Sequence, residues 1–259
     1  MLVLYHFPRA ICAQKVRVAL AEKGVAFESR VVAPADLRSP EYLALNPNGY
    51  VPTLVHDGAV ITESRTINEY IDDAFPNPAL MPASPVARAR LRNWVKQIDD
   101  SLHLNIFILT FVTSFRTPFL AMPKEARERT LPFNPIKRLI MLDLAEHGAD
   151  SRFFRMAVDR FRTLLAEMDA ALAKTEWLSG DRYGMADVDY TPYLRRLAEL
   201  GFWELVTRDH ANVQRWFQTL RSRPSFSQAI SDWETDADHT REAEDIARAR
   251  PIFEAALAA

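Results

Sequence analysis

The first 75 residues combine short apolar runs with one helical pattern. Residues 2–5 form a strand-like run, and apolar residues between Cys12 and Leu20 recur at helical spacing before Gly24. Residues 27–32 then alternate like a second strand. The pattern therefore predicts a strand, a helix and a second strand, in that order.

A hairpin and a further helix are predicted next. Residues 53–55 and 60–61 are short apolar runs that flank Asp57-Gly58. Asp-Gly favours a two-residue hairpin turn because both central residues of that turn need a positive φ. Ser64 then opens a helix with apolar residues at helical spacing. This half of the chain is predicted to be mixed α/β.

Prolines concentrated between residues 76 and 85 mark a linker, because proline fixes φ and lacks an N–H donor. From Val86 onward the apolar spacing is helical, and no strand pattern recurs. We therefore predict an α/β domain over residues 1–80 and an all-α domain over residues 86–259. The predicted helices are a stripe from Leu91 to Val112 ended by Pro118 and Pro123, residues 135–147, residues 154–172, a helix that begins after Gly184, and residues 213–220.

The tail, residues 234–259, is charged and then becomes apolar at Ile252, Phe253 and Leu257. We favour a solvated helix with a frayed end, since chain termini are usually loose. The alternative is an arm that packs over a pocket or a neighbouring molecule.

Composition and charge exclude several classes of protein. The chain has 259 residues, 48% hydrophobic and 25% charged, which excludes a disordered chain. A formal net charge of -2 leaves no basic excess for a nucleic acid. No signal peptide is visible, and the longest apolar stretch, residues 104–112, is too short to span a bilayer. We expect a cytoplasmic protein that binds neither nucleic acid nor membrane.

Cys12 is the single cysteine, which excludes an intrachain disulfide and a multi-cysteine zinc site. The histidines show no pair at metal-ligand spacing, so no metal site is expected. Cys12 lies in the turn between the first strand and the first helix, where free N–H groups and the helix dipole favour an anion such as a thiolate. Arg9 and Lys15 add positive charge. The alternative is a buried, unreactive thiol.

Two further segments carry candidate binding groups. Val51-Pro52 precedes the hairpin, and a cis bond there would leave the Val51 N–H and C=O facing outward for an extended, peptide-like ligand. A trans proline at a strand edge is the alternative. Glu63-Ser64 follows the hairpin, where Ser64 is a good N-cap; the two side chains suit the carboxylate and ammonium groups of an α-amino acid. An ordinary capped helix is the alternative.

Together, residues 5–24, residues 46–54, Glu63-Ser64 and the Ala186-Asp187 pair resemble the glutathione transferase superfamily. The resemblance implies a thioredoxin-like N-terminal domain, an all-helical C-terminal domain, glutathione as co-substrate and a homodimer. It implies that Val51 binds the cysteinyl backbone of glutathione and that Glu63 and Ser64 hold its γ-glutamyl end. The glutathione-binding candidates are Arg9, Tyr50, Val51, Pro52, Glu63 and Ser64, with Tyr50 where relatives often place Lys or Gln against the glycyl carboxylate.

Within the superfamily, residues 7–17 are similar to bacterial branches that process aromatic compounds, including reductive dehalogenases with a cysteine matching Cys12. The length and residues 131–148 resemble the branch that cleaves aromatic β-ethers. Ala10 and Ala13 stand where relatives place a catalytic hydroxyl. The resemblance therefore leaves Cys12 as the catalytic candidate.

Three functions follow as hypotheses. The first is a transferase that uses glutathione as nucleophile on hydrophobic, aromatic electrophiles, in detoxification or aromatic degradation, with aryl ether cleavage included. The second is Cys12-dependent thiol exchange, as in a reductive dehalogenase or a deglutathionylase. The third is a glutathione-binding module without catalysis. Substrate candidates are Phe7, Pro8, His103, Phe107 and Phe111.

Two patterns in the helical half have a structural interpretation. Phe107, Phe111 and Phe115 are spaced four apart, so we expect most of them in the core and one beside the substrate. His103 is predicted either at the surface or facing a substrate groove. Asp187 lies three residues after Gly184, where its carboxylate caps the helix; its replacement by Ala is expected to cost about 1 kcal/mol.

Overall fold

The computed structural model describes residues 1–258, which divide into two compact units. The first unit comprises Met1–Val95, Thr175–Tyr193 and Trp216–Thr235. The second unit comprises Lys96–Lys174, Leu194–Arg215 and the chain from Asp236 onward. The first unit contains the whole of the predicted domain of residues 1–80, continues to Val95 and takes in two later stretches of the predicted domain of residues 86–259.

The first unit contains a four-stranded sheet with strand order β2-β1-β3-β4. The strands are β1 (Leu2–His6), β2 (Glu28–Val31), β3 (Thr53–His56) and β4 (Ala59–Thr62). β1 pairs in parallel with β2 and antiparallel with β3, and β3 pairs antiparallel with β4. The predicted hairpin turn is confirmed, since Asp57 and Gly58 have φ of 49° and 88°. The thioredoxin-like order of elements is confirmed.

The helices of the N-terminal half are α1 (Ile11–Lys23), α2 (Pro40–Leu45) and α3 (Ser64–Ala74). α1 is buried on all sides between Ala13 and Leu20, including its polar residues. It packs against α3 within the first unit. A helix without an exposed face must satisfy each buried polar side chain inside the protein.

The first long helical run of the second half extends from Pro85 to Ala121. It consists of α4 (Pro85–Gln97), α5 (His103–Thr110) and α6 (Arg116–Ala121), joined by two π-helical turns at Ile98–Leu102 and Phe111–Phe115. Pro118 lies inside α6, so the prediction that it ends the helix is wrong.

By length and composition, this run is the one described helix that could cross a membrane, although the sequence predicted no such stretch. Its apolar side chains Ile98, Leu102 and Ile106 are buried in the second unit. Burial in a protein core accounts for the same apolar composition.

The remaining helices complete the predicted all-α half. They are α7 (Lys124–Thr130), α8 (Pro135–His147), α9 (Arg152–Leu172), α10 (Met185–Glu199), α11 (Trp203–Thr207), α12 (Ala211–Arg221), α13 (Pro224–Ala229) and α14 (Asp236–Ala258). The four predicted helices after residue 130 correspond to α8, α9, α10 and α12. The short helices α7, α11 and α13 were not predicted, because one or two turns leave too little periodicity to detect.

The C-terminal tail forms a helix with mostly exposed residues, as predicted, but this helix is anchored to the second unit and its end is not frayed. It forms α14, in which Ala249 and Phe253 are fully buried. The Phe253 ring stacks on Phe202 and Phe154, with ring centroids 4.3 and 5.8 Å apart. Aromatic burial of this size offsets the entropy of ordering a chain end, so Phe253 anchors the last turns of α14 to the core of the second unit.

Candidate active site

The register of the sheet brings three predicted segments to one end of the first unit. Tyr5 pairs with Thr53, and Thr53 pairs with Thr62. The end of β1, the start of β3 and the end of β4 therefore lie at the same end of the sheet. The three segments that contain the candidates lie there: residues 7–12, residues 50–52 and residues 63–64.

Cys12 is the second residue of α1, so its predicted place in the first turn of a helix is confirmed. Its side chain is partly exposed and forms no disulfide. The N-cap is Ala10, which provides no side-chain hydrogen bond to the first turn. Backbone N–H groups in such a turn favour an anion, whether the Cys12 thiolate or a bound one. Phe7, Pro8 and Arg9 form the loop before the helix, and all three are partly exposed.

Arg17 fixes the loop that precedes Cys12. Its guanidinium donates to the Pro8 carbonyl at 2.7 Å, to His6 Nδ1 at 2.9 Å and to the Ala229 carbonyl at 2.8 Å. The Trp233 ring covers the guanidinium at 4.7 Å. Burial lowers the pKa of Arg17 to about 9, which leaves the side chain charged at neutral pH.

The same contacts define the state of His6, whose side chain is fully buried. Because Arg17 can only donate, His6 Nδ1 accepts, and Nε2–H donates to Ser29 Oγ at 2.8 Å. Burial first, and the positive charge of Arg17 second, lower the pKa of His6 to about 4. His6 is therefore neutral at physiological pH.

The Val51-Pro52 peptide bond is cis, which decides between the two predicted alternatives. Neither the N–H nor the C=O of Val51 forms a hydrogen bond among residues 1–258. The preceding residue is held firmly, since the Tyr50 carbonyl accepts from Tyr42 Oη at 2.7 Å and from Asn46 Nδ2 at 2.8 Å. An extended ligand can pair with the Val51 backbone. The Tyr50 side chain is 46% exposed.

Glu63 and Ser64 stand at the start of α3, with one correction to their roles. Ser64 is the first helical residue and Glu63 is the N-cap, so Ser64 is not the cap that the sequence suggested. Glu63 makes no side-chain capping bond, is exposed, and has φ of 66°. A left-handed φ at a residue other than glycine is costly and occurs mainly at functional sites. The N-terminus of α3, with the exposed Glu63 directly before it, thus lies at the same end of the sheet.

Lys15 has a different role from the predicted one. Its side chain is 1% exposed, and its Nζ lies 3.3 Å from Ser64 Oγ and 3.5 Å from Asp189 Oδ1. Asn68 Nδ2 donates to the same Asp189 oxygen at 2.7 Å. The positive charge is thus paired within a buried network and directed at α3. Sequence reasoning missed Asn68 and Asp189, because nothing in the local pattern distinguishes them from surface residues.

Asp187 is a structural residue, as predicted. Its buried carboxylate accepts from the Gly184 N–H at 3.1 Å, from the Leu178 N–H at 2.9 Å and from Trp216 Nε1 at 2.8 Å. Burial raises the pKa of Asp187, and these hydrogen bonds oppose that rise. The predicted capping bond to Gly184 is confirmed. The bonds from Leu178 and Trp216 were not predicted, and they tie Asp187 to residues outside the helix cap.

The remaining substrate candidates belong to the second unit. Phe111 is 2% exposed, and its ring contacts Phe107 and Phe119, so it is part of the core. Phe107 and His103 are partly exposed. Phe115 is 53% exposed, so the expectation that most of this stripe is core is wrong. No cluster of three or more possible metal ligands occurs in the described chain.

Two families match the chain: glutathione S-transferase N-terminal domain over residues 4–79, and glutathione S-transferase C-terminal domain over residues 124–219. Protein LigF from Sphingobium sp. (strain NBRC 103272 / SYK-6) is 28% identical over 236 residues, which cover 88% of this chain and 92% of LigF. The crystal structure of β-etherase LigF from Sphingobium sp. strain SYK-6 superposes with a TM-score of 0.79 at 26% identity, covering 89% of this chain and 99% of that one.

Two other relatives carry different names. The stringent starvation protein A homolog of Haemophilus ducreyi is 26% identical over 227 residues, 88% of each chain. Maleylacetoacetate isomerase of Pseudomonas aeruginosa is 28% identical over 233 residues, covering 87% of this chain and 94% of the isomerase. The two family matches agree with the fold, in which the segments that contain Cys12, Val51 and Ser64 lie at one end of the sheet. The chain belongs to the glutathione S-transferase superfamily, and it is a glutathione transferase-like enzyme with glutathione as co-substrate.

Proposed function

We propose that this enzyme uses the glutathione thiolate as a nucleophile on hydrophobic, aromatic electrophiles, and that aryl ethers are among them. The observation that carries the proposal is the sheet register, which places Cys12, Val51 and Ser64 at one edge of the first unit. Similarity to a β-etherase over most of both chains supports the choice of aryl ethers.

In this proposal each segment binds one part of glutathione. The unpaired Val51 backbone pairs with the cysteinyl residue as a short β-bridge. Ser64 and the N-terminus of α3 bind the γ-glutamyl carboxylate, and the Glu63 carboxylate pairs with its ammonium group. Tyr50, exposed beside Val51, donates a neutral hydrogen bond to the glycyl carboxylate.

The sulfur of glutathione then lies at the N-terminus of α1. No hydroxyl is available from Ala10 or Ala13, so the dipole and N–H groups of that helix stabilise the thiolate. The thiolate attacks the carbon that bears the ether oxygen, and the phenoxide leaves with the bonding electron pair. Arg9, Phe7 and Pro8 lie in the loop before this helix and border this position.

Cys12-dependent thiol exchange is the second candidate, and the partly exposed Cys12 in the first turn of α1 favours it. In this reaction the Cys12 thiolate attacks the sulfur of an aryl glutathionyl thioether and forms a mixed disulfide. The aryl group leaves with the bonding electrons and takes a proton from solvent. A second glutathione then reduces the mixed disulfide and yields oxidised glutathione.

Calorimetric titration of reduced glutathione at pH 7 tests the binding site. Saturable one-to-one binding is expected, with affinity reduced about tenfold in Ser64→Ala. Thr66→Ala, an exposed hydroxyl in the same turn of α3, is the matched control and should bind like the wild type. Absence of binding at millimolar glutathione would refute the site, whereas binding without turnover would favour the glutathione-binding module without catalysis.

Turnover of aryl ethers and halogenated aromatics with glutathione, measured in the wild type and in Cys12→Ala, separates the two reactions. Ether cleavage that survives in Cys12→Ala supports the glutathione thiolate as the nucleophile. Loss of all turnover in that variant, with glutathione binding retained, would assign the chemistry to Cys12. We further propose that the protein is a cytoplasmic homodimer with a role in detoxification or aromatic degradation. Light scattering tests the oligomeric state, because it distinguishes the 29.6 kDa monomer from a dimer of twice that mass.

A further inference from the structure

A lysine is buried directly behind the N-terminus of α3. Lys15 is 1% exposed, and its Nζ donates to Ser64 Oγ at 3.3 Å. Its charge is balanced by the fully buried side chain of Asp189, whose Oδ1 lies 3.5 Å from Lys15 Nζ. Since the Lys15 amine has so little surface, it acts on a ligand only through the groups that it contacts.

The donor and acceptor inventory of this contact limits what Ser64 can do. A lysine ammonium has three donors and no acceptor, whereas a serine hydroxyl has one proton and two lone pairs. One lone pair of Ser64 is used by Lys15. The hydroxyl proton therefore points away from Lys15, and Ser64 can donate it to a ligand.

The network also fixes where Ser64 stands. Asn68 lies one turn after Ser64 on α3 and donates to the Asp189 oxygen that faces Lys15, at 2.7 Å. Asp189 belongs to α10, so side chains of α1, α3 and α10 meet in this network within the first unit. Burial of all three partners prevents water from competing for these hydrogen bonds.

We propose that Lys15 is a positioning residue for glutathione: it orients the Ser64 hydroxyl as a hydrogen-bond donor to the γ-glutamyl carboxylate. The inference rests on the proposed function in one respect, namely that Ser64 binds that carboxylate. A donor backed by a cation favours a carboxylate over a neutral amide, because a charged acceptor gains more from such a hydrogen bond. Lys15 thus contributes to ligand selection without touching the ligand.

A double-mutant cycle in the full-length protein tests the inference, with the dissociation constant of reduced glutathione as the readout. Lys15→Met is expected to raise this constant about tenfold, and Ser64→Ala to raise it similarly. The double variant should bind no more weakly than Ser64→Ala alone, because Lys15 acts through that hydroxyl. The catalytic constant of Lys15→Met at saturating glutathione should stay close to that of the wild type.

Lys23→Met is the matched control. Lys23 is also a buried lysine on α1, but it pairs with Asp72 and the Pro78 carbonyl. Its replacement is expected to lower the melting temperature and to leave the dissociation constant within twofold. If Lys15→Met does not fold, the same cycle with Lys15→Gln applies, since glutamine keeps an N–H donor and should give an intermediate affinity.

Three results are informative against the inference. Multiplicative losses in the double variant, or wild-type affinity in Lys15→Met, would overturn the positioning role while the wild type still binds glutathione. A wild type that does not bind millimolar glutathione would overturn the proposed function itself, and the inference with it.

Discussion

Acidification from pH 7 to pH 5 is expected to lower the free energy of unfolding by about 2 kcal/mol through His6 alone. The pKa of His6 is about 4 in the folded protein, and its ordinary value is 6.5. Between these values the unfolded chain binds more protons, so stability falls as the pH falls through 6.5 toward 4. A solution at pH 5 lies about 1.5 pH units below the ordinary histidine pKa of 6.5. Each unit corresponds to about 1.4 kcal/mol, so the loss of stability is about 2 kcal/mol.

The assay is guanidinium unfolding at pH 7, 6 and 5, comparing the wild type with His6→Gln. Glutamine does not titrate, yet it offers an acceptor toward Arg17 and a donor toward Ser29, as His6 does. The variant should therefore lose about 2 kcal/mol less than the wild type over this range.

The reasoning is refuted if His6→Gln and the wild type lose stability in parallel between pH 7 and pH 5. That result would mean that Arg17 tolerates a protonated neighbour, or that the His6 site opens to water on acidification. A direct check is the proton titration of the His6 ring by nuclear magnetic resonance, for which a midpoint near 4 is expected.

Three further substitutions have defined outcomes. Asp187→Ala removes the acceptor of Trp216 Nε1 and of three backbone N–H groups, so guanidinium unfolding should show a loss of at least about 3 kcal/mol instead of the 1 kcal/mol expected for a simple cap. Phe253→Ala should cost about 3–5 kcal/mol, whereas Phe133→Ala, 61% exposed, should stay within about 0.5 kcal/mol; equal melting temperatures would contradict the packing of α14. Glu63→Gly should stabilise the fold by about 1 kcal/mol and weaken glutathione binding, and calorimetry showing unchanged affinity would exclude Glu63 from the site.

The features that sequence reasoning predicted correctly are those set by neighbouring residues. The turn at Asp57-Gly58 depends on the φ of two consecutive residues, and the helix at 135–147 on its own apolar spacing and the glycine behind it. The capping bond of Asp187 to Gly184 spans three residues. The place of Cys12 follows from the boundary between one strand and one helix. Each of these depends on physics that acts within a few residues.

What could not be predicted depends on partners distant in the chain. Lys15 was expected to add charge near Cys12, but its partner Asp189 lies 174 positions later in the numbering and is brought to α1 only by folding. The anchoring of the tail was not predicted, because Phe154 and Phe202, the stacking partners of Phe253, lie far upstream in the chain. Apolar spacing predicts which side of a helix is buried. It does not identify the distant residues that pair with the polar side chains of a fully buried helix.

Helix α1 buries three cationic side chains, and their partners explain why they are there. Buried ion pairs add little net stability, because the cost of desolvating each charge offsets the attraction between them. What these pairs, and the carbonyl contacts of Arg17, do supply is a defined position. Arg17 fixes the Pro8 carbonyl, Lys15 fixes the Ser64 hydroxyl, and Lys23 holds the linker through the Pro78 carbonyl. Two of the three cations thus contact segments of the proposed glutathione site, so the geometry of those segments depends on the buried polar residues of α1.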